Sequence, residues 1–183
     1  RGLGDVYKRQ ILDFHLVTKW KTAGDSITAA LRLARPDSKN ILIVGAGTVG
    51  QSLFDAYSAA FPKANFLVWN RTHERALYMV KNKSNAVAVE NLEAGVKRAD
   101  IITCATMSKQ PIIKGEWLVP GQHLDLIGAY RPDMREVDDL ALCRSTKFVD
   151  SYDTTLDHIG ELKIPLKNNV ISREDILSDF FGL

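Results

Sequence analysis

The chain has 183 residues, 45% hydrophobic and 25% charged, which are the proportions of a globular protein and not of a disordered, collagen-like or coiled-coil one. Its 24 Lys and Arg residues nearly balance 22 Asp and Glu, and the net charge of +2 provides no basic surface for nucleic acid or a membrane. No apolar run reaches the ~18 residues of a membrane helix and no signal peptide pattern is present, so we expect a cytoplasmic protein that acts on a small molecule.

The first 35 residues differ from the rest of the chain in their patterning. Residues 1–10 have no apolar periodicity, and we expect them to be non-native sequence. Residues 11–19 alternate apolar and polar side chains, which predicts one strand. Residues 22–35 follow a helical period, so we expect a helix that Thr22 or a neighbour caps and that Pro36 ends.

Strands and helices then alternate with short connections, which is typical of βαβ units and a parallel sheet. Strands are predicted at residues 41–44, 66–69, 86–89, 100–104, 123–127 and 147–150. Helices are predicted at residues 48–60, 72–81, 91–98, 136–143 and 172–180. The predicted fold class is therefore α/β, with a doubly wound, mostly parallel sheet.

The motif Gly45-Ala46-Gly47-Thr48-Val49-Gly50 follows the first of these strands and opens a helix. Strand, glycines, helix and second strand in this order predict a dinucleotide-binding site. In such a site Gly45 permits the tight turn, Gly47 lets the backbone approach a pyrophosphate, and Gly50 allows close packing of helix and strand. The N–H groups at the helix N-terminus attract the phosphates. The alternative is a glycine-rich turn without a ligand.

The second strand ends in Trp69-Asn70-Arg71-Thr72, where an NAD site usually has an acidic residue for the ribose 2′-hydroxyl. A guanidinium at Arg71 can hold a 2′-phosphate through paired hydrogen bonds, and Asn70 and Thr72 add neutral donors. The missing carboxylate and the added cation therefore favour NADP over NAD. The alternative is that Arg71 only solvates the loop or pairs with Glu74.

The fourth strand ends in Thr103-Cys104-Ala105-Thr106, at the sheet edge where open α/β folds bind ligands. These small residues would let a nicotinamide ring lie against the backbone. Cys104 is a weak candidate for a nucleophile, because no base is coupled to it in the sequence. We expect Cys104 and Cys143 both to be buried thiols.

Two other groups of residues that could carry out chemistry are predicted to be structural: His123, and the residues from Asp157 to Glu161. His123 falls at the start of a strand, and we expect it to be a structural histidine. Asp157, His158 and Glu161 are residue types that bind metals, and Gly160 lies among them. Because no second cluster of such residues is present, they predict a solvated loop and no metal site.

Several motifs occur in one order: Lys21 to Ser26, the glycine motif, Trp69 to Thr72, Ala99-Asp100, Pro120-Gly121, and Gly128 followed by Met134-Arg135-Glu136. Together they resemble the ornithine cyclodeaminase/mu-crystallin family, over nearly all of residues 19–166. The resemblance implies a Rossmann domain joined to a substrate and dimerisation domain, a homodimer, and a bound nicotinamide cofactor. The reactions it implies are ornithine cyclodeamination, reduction of a cyclic ketimine such as pyrroline-2-carboxylate, and alanine dehydrogenation.

The resemblance also implies roles for single residues. Lys21 stands where many members have an arginine that helps hold the substrate carboxylate, although a lysine cannot make the forked contact. Thr106 and Ile127 match positions near the nicotinamide. The predicted cofactor-binding residues are Thr22, Gly45, Ala46, Gly47, Thr48, Val49, Gly50, Asn70, Arg71, Thr72, Ala105, Thr106 and Ile127.

One departure from the family concerns the segment from Gly128 to Glu136. Tyr130 stands where the cyclodeaminases have their catalytic aspartate, so their presumed acid/base group is missing, and Asp133 is only nearby. The pattern from Pro132 to Glu136 looks more like the ketimine reductases of the family.

A second departure is the length, which is little over half that of a typical member, and we expect a gene fragment. Residues 11–35 are then the remnant of the truncated substrate and dimerisation domain with its connecting helix. Residues 36–160 form the NAD(P)-binding domain, and residues 161–183 begin a C-terminal return segment.

The preferred hypothesis is an NADP-dependent reductase that adds hydride to the C=N carbon of a small cyclic ketimine, with Lys21 anchoring the carboxylate. One alternative is an NAD-dependent ornithine cyclodeaminase. Another is a non-catalytic, NADP-binding protein of mu-crystallin type, which is the favoured interpretation for the fragment itself.

Overall fold

The computed structural model describes residues 14–182, with side chains from residue 17 onward. Its central strands are β1 Asn40–Val44, β2 Asn65–Trp69, β3 Ala86–Ala88, β4 Ile101–Cys104 and β5 His123–Leu126. They form a parallel sheet in the order β3-β2-β1-β4-β5. This order is that of a Rossmann-type doubly wound sheet, and it confirms the predicted fold class.

The described helices are α1 Phe14–Leu33, α2 Thr48–Ala60, α3 His73–Val80, α4 Leu92–Arg98, α5 Asp139–Cys143, α6 Tyr152–Thr155 and α7 Gly160–Lys167. Short 3₁₀ turns occupy Gly115–Trp117 and Arg173–Asp175. Two short strands, β6 Lys147–Phe148 and β7 Ile176–Ser178, pair in parallel as a second sheet.

The two faces of the sheet carry separate apolar cores. Ile41 and Ile43 of β1 belong to the core formed with α1, α2 and α3. Leu42 and Val44 belong to the core formed with α4 and the C-terminal segment. Because both faces are covered, β1 is a continuous apolar run and not an alternating one.

Four of the strands end at the same level. Val44 is in register with Trp69 of β2 and with Cys104 of β4, and Cys104 is in register with Leu126 of β5. The residues that follow these strand ends therefore share one edge of the sheet. This is the edge where open α/β folds bind their ligands.

The predicted strand at residues 11–19 is wrong for every described residue of it, because α1 already begins at Phe14; residues 11–13 lie outside the described part. Thr22 is consequently inside the helix and not its cap. Ala23, Ser26 and Ala30 are almost fully buried and form one helical face. A short alternating stretch also fits a helix, and here the packing of that face decided the conformation.

The prediction for the C-terminal region was also partly wrong. Ser172 does cap a turn, in a capping box with Asp175, but a 3₁₀ turn and β7 follow in place of a helix at residues 172–180. Ile176 is buried and pairs with Lys147. This long-range pairing has no local signal in the sequence.

Candidate active site

Gly45 makes the turn between β1 and α2. Its φ of +114° is in the region that favours glycine, and its N–H donates to the carbonyl oxygen of Trp69 at 2.8 Å. A Cβ at Gly45 would lie 2.7 Å from the carbonyl oxygen of Ala105. The turn is thus held between the ends of β2 and β4.

A side chain would meet different surroundings at Gly50 and at Gly47. A Cβ at Gly50 would overlap the carbonyl oxygen of Gly45, so this glycine permits α2 to pack against the turn. A Cβ at Gly47 would meet no atom within 4 Å. Gly47 therefore borders open space in front of α2.

The N-terminus of α2 is open toward that space. Its N-cap is Gly47, no side chain caps the helix, and the first turn contains no acidic residue. The N–H groups of Thr48, Val49 and Gly50 have no acceptor within the helix. This helix end offers free N–H groups and the positive end of the helix dipole, and the missing side chain of Gly47 leaves space beside them. The pyrophosphate of a dinucleotide fits such a site.

Asn70 joins the loop after β2 to the glycine turn. Its Oδ1 accepts a hydrogen bond from the N–H of Ala46 at 3.0 Å, and its Nδ2 donates to the carbonyl oxygen of Thr72 at 2.9 Å. Both ends of the carboxamide are occupied, whereas the sequence suggested a free donor for a ribose phosphate. The side chain braces the two loops.

Arg71, the residue after Asn70, is exposed. Among the described residues it forms no ion pair, and the suggested pairing with Glu74 is not observed. A cleft of about 550 Å³ lies between the glycine turn and α3, lined by Gly47, Thr48, Glu74, Arg75 and Tyr78 among others. Arg71 is not one of the lining residues, but it follows Asn70, whose side chain contacts Ala46 at the wall of the cleft. A guanidinium without an ion-pair partner can bind a phosphate.

The ends of β4 and β5 are joined through Glu136. Its Oε1 accepts hydrogen bonds from the N–H and the Oγ1 of Thr106, both at 2.6 Å, and its Oε2 accepts one from the N–H of Gly128 at 2.9 Å. Thr106 and the neighbouring Ile127 are half-buried at this edge. In the sequence Glu136 stands out only as part of a motif, and no local signal indicates this contact.

Burial controls the ionisation of the groups below this edge. Glu136 is fully buried, which raises its pKa, and the hydrogen bonds from Thr106 and Gly128 oppose that shift. Cys104 is also fully buried, and burial together with the nearby Glu136 carboxylate raises the pKa of its thiol well above the usual value. Cys104 is therefore a packed thiol, as expected. The expectation that Cys143 is buried was wrong, since it is exposed.

Glu161 is the second buried carboxylate of this region. Its two oxygens accept hydrogen bonds from the N–H groups of Glu136 at 2.5 Å and Val137 at 3.2 Å. Burial raises the pKa of Glu161 to about 7. The prediction of a solvated loop at residues 157–161 was wrong here, because Gly160 and Glu161 begin α7, although Asp157 and His158 are exposed.

Helix α1 runs antiparallel to the strands. At its C-terminal end, Arg35 Nη2 lies 2.7 Å from Oδ1 of Asp100, just before β4 begins. Further toward the helix N-terminus, Ser26 contacts Asp125 near the end of β5. Another turn, ~6 Å along the axis, brings Lys21 and Thr22 toward the carboxyl edge of the sheet.

Lys21 is exposed and forms an ion pair with Asp25, with 3.2 Å between Nζ and Oδ2. Thr22 beside it is half-buried. The structure thus brings the predicted site residues to one edge, with Lys21 on the helix that flanks it.

A buried polar cluster fastens α1 to the sheet. Asp125 Oδ2 accepts hydrogen bonds from Ser26 and, at 2.9 Å, from Oγ1 of Thr103, and the hydroxyl of Tyr57 lies 3.0 Å from that of Ser26. Burial raises the pKa of Asp125 and lowers that of His123, which lies at the start of β5 as expected. Asp125 was not predicted as a functional residue, and its only signal in the sequence is an acidic side chain inside an apolar strand.

Among the side chains that the structure describes, those of residues 17–182, no three of His, Cys, Asp or Glu are grouped closely enough to hold a metal ion. In the same part of the chain, no helix combines the length and the apolarity that crossing a membrane requires.

Residues 6–180 match the model of the ornithine cyclodeaminase/mu-crystallin family. The chain is 47% identical over 178 residues to Δ1-pyrroline-2-carboxylate reductase of Paracoccus denitrificans, covering 94% of this chain and 56% of that protein. It is 33% identical over 153 residues to the ketimine reductase mu-crystallin of Mus musculus, covering 83% and 49%. The solved Δ1-pyrroline-2-carboxylate reductase of Thermococcus litoralis, in complex with NADH and L-proline, superposes with a TM-score of 0.85 at 28% identity, covering 90% and 52%.

The fold is that of a Rossmann-type α/β protein, and its strand, glycine turn and helix have the arrangement that suits a dinucleotide. The chain belongs to the ornithine cyclodeaminase/mu-crystallin family, which confirms the resemblance seen in the sequence. It spans about half the length of the curated relatives it matches.

Proposed function

We propose that this chain forms the cofactor-binding part of an NADP-dependent reductase that adds hydride to the C=N carbon of a small cyclic ketimine. The substrate is of the pyrroline-2-carboxylate type and the product is an amino acid. The observation that carries the proposal is the open space at Gly47 in front of the uncapped α2, with Arg71 on the loop that Asn70 connects to the glycine turn. The similarity to Δ1-pyrroline-2-carboxylate reductase and to a ketimine reductase supports the reaction.

A nicotinamide cofactor, when bound, supplies the hydride. The N–H groups at the start of α2 hold its pyrophosphate, and Arg71 holds the ribose 2′-phosphate. Asn70 keeps the loop that carries Arg71 against the glycine turn. Ala105, Thr106 and Ile127 receive the nicotinamide at the ends of β4 and β5.

Lys21 holds the substrate carboxylate in this proposal. Its ion pair with Asp25 is exposed on both sides, so the pair contributes little and can be exchanged for a substrate anion. Thr22, one residue further along α1, contacts the cofactor.

The remaining expectations are part of the same proposal. Residues 36–160 form the cofactor domain, while residues 11–35 and 161–183 belong to the substrate and dimerisation part. The full-length protein is a cytoplasmic homodimer that binds no nucleic acid. Cyclodeamination of ornithine is the less favoured reaction, because the exposed Tyr130 has no carboxylate.

The cofactor preference is tested by titrating the chain with NADPH and NADH and following nicotinamide fluorescence. We expect tighter binding of NADPH, and we expect Arg71→Ala to weaken it by about 10- to 100-fold while NADH changes by less than about twofold. Arg98→Ala is the matched control, because Arg98 is exposed at the end of α4, next to the opposite edge of the sheet.

Equal binding of both cofactors, or an unchanged preference in Arg71→Ala, would remove the NADP assignment and favour the NAD-dependent cyclodeaminase. The reaction is tested on a full-length protein that contains this chain, by NADPH oxidation with pyrroline-2-carboxylate. Cofactor binding without any oxidation would leave the non-catalytic, mu-crystallin-like function.

A further inference from the structure

The Glu136 carboxylate serves a different strand-end loop with each of its oxygens. Oε1 accepts both hydrogen bonds from Thr106, which follows β4, and Oε2 accepts the bond from Gly128, which follows β5. The side chain is fully buried. It therefore does not line the ligand space; besides the Cys104 thiol at the end of β4, its carboxylate contacts these two loops.

The two loops are in direct contact at this point. A Cβ at Gly128 would overlap the backbone of Thr106 and the carboxylate of Glu136. Any change in the position of the carboxylate must therefore move one loop relative to the other.

We propose that Glu136 is a positioning residue that fixes the separation of Thr106 and Gly128, and so shapes the surface that receives the nicotinamide half of the cofactor. This inference rests on the proposed function. It assigns to Glu136 no contact with cofactor or substrate, and no proton transfer.

A carboxylate suits this position better than an amide of the same shape. Burying an ionisable group is unfavourable unless hydrogen bonds compensate it, and here three donors point at the two oxygens. A glutamine of the same shape has one acceptor oxygen and one NH₂ group. Its NH₂ would face the N–H of either Thr106 or Gly128, so one loop would lose its partner and face a second donor.

Glu161 provides a matched control. It is similarly buried and also accepts two backbone hydrogen bonds, but its donors are the N–H groups of Glu136 and Val137. Its carboxylate forms no hydrogen bond with Thr106 or Gly128. Replacing it by glutamine perturbs the same segment without removing the link between the strand ends.

The test compares two ligands on the chain as it exists. One is NADPH, and the other is 2′-phospho-ADP-ribose, which contains the phosphates and the adenosine but no nicotinamide. We expect Glu136→Gln to weaken NADPH binding by about tenfold and to leave the affinity for 2′-phospho-ADP-ribose within about twofold. Glu136→Asp keeps the charge but has a shorter reach, so we expect the same selectivity with a smaller loss. Glu161→Gln is expected to show no selective loss.

The outcomes are distinguishable. If the unsubstituted chain binds neither ligand, the proposed function fails, and this inference fails with it. If the unsubstituted chain binds both, an equal effect of the Glu136 variants on both ligands, or no effect, overturns this inference alone. Loss of 2′-phospho-ADP-ribose binding in both Glu136 variants would mark the residue as purely structural. A selective loss of the same size in Glu161→Gln would assign the effect to packing of the segment, which would also overturn it.

Discussion

The carboxamide of Asn70 accepts a hydrogen bond from the backbone N–H of Ala46 at 3.0 Å, across 24 positions of the chain. The same side chain donates to the carbonyl oxygen of Thr72. One residue thus connects the turn in front of α2 with the loop that carries Arg71. The orientation of the two parts of the proposed phosphate site depends on this contact.

We therefore expect Asn70→Ala to weaken the binding of NADPH by about fivefold, since a hydrogen bond contributes about 1 kcal/mol. The binding of NADH should weaken less, because NADH has no 2′-phosphate for Arg71 to hold. Fluorescence titration measures both affinities. Asn85→Ala is the control, because Asn85 donates to the carbonyl oxygen of Ala64 near the opposite edge of the sheet. Unchanged NADPH binding in Asn70→Ala, or a larger loss for NADH than for NADPH, would contradict this role of Asn70.

Gly47→Ala and Gly50→Ala should separate ligand binding from folding. The new Cβ at Gly47 would meet no protein atom, so thermal unfolding should stay within about 2 °C, whereas cofactor binding should fall by more than tenfold. At Gly50 the Cβ would overlap the Gly45 carbonyl oxygen, so the temperature midpoint of unfolding should fall steeply in Gly50→Ala. Thermal unfolding with and without NADPH measures both effects. Normal cofactor affinity in Gly47→Ala would contradict the assigned position of the pyrophosphate.

Ser26→Ala should destabilise the chain by about 1–3 kcal/mol, because it leaves the buried Asp125 carboxylate with one donor fewer. Thr28→Ala on the same helix is the control. Thr28 is exposed and bonds only to the carbonyl oxygen of Gly24, so its loss should change the free energy of unfolding by less than about 0.5 kcal/mol. Urea denaturation followed by circular dichroism measures both values. Equal stabilities of the two variants would show that the polar cluster does not fasten α1.

Stability should depend on pH through Glu161. Burial raises its pKa in the folded protein from 4.5 to about 7, so the folded state holds this proton between those pH values while the unfolded chain releases it. The contribution of Glu161 to the free energy of unfolding is therefore greatest below pH 4.5 and falls as the pH rises to 7.

Glu161→Gln removes this titration. We expect the stability of the unsubstituted chain relative to the variant to fall by up to about 3 kcal/mol between pH 4.5 and 8. Urea denaturation at several pH values measures it, with the exposed Glu116→Gln as control. A constant difference across this range would show that Glu161 ionises normally in the folded state.

The sequence by itself was sufficient for the parts of this protein that depend on local patterning. β1, the glycine turn and α2 were predicted within a residue, because an apolar run, a turn that needs a positive φ at Gly45 and a helical period are all encoded by near neighbours. The shared edge of the predicted site followed too, since parallel strands end on the same side.

The tertiary structure decided what depends on distant partners. Residues 14–19 are helical because the helix packs its other turns against the sheet, and residues 176–178 form a strand because they pair with β6. Glu161 was predicted to lie in a solvated loop, because no second cluster of metal-ligand residues accompanies it, yet its carboxylate is buried against the backbone of Glu136.

The buried carboxylates show the physical reason for this division. Ser26 and Asp125 are 99 positions apart, and Thr106 and Glu136 are 30 apart, so no local window contains both donor and acceptor. An acidic side chain can be buried only where donors converge on it, and convergence is a property of the folded chain. The proposed location of a dinucleotide site therefore follows from neighbouring residues, while the buried groups that connect the strand-end loops are found only in the folded chain, where the strands lie side by side.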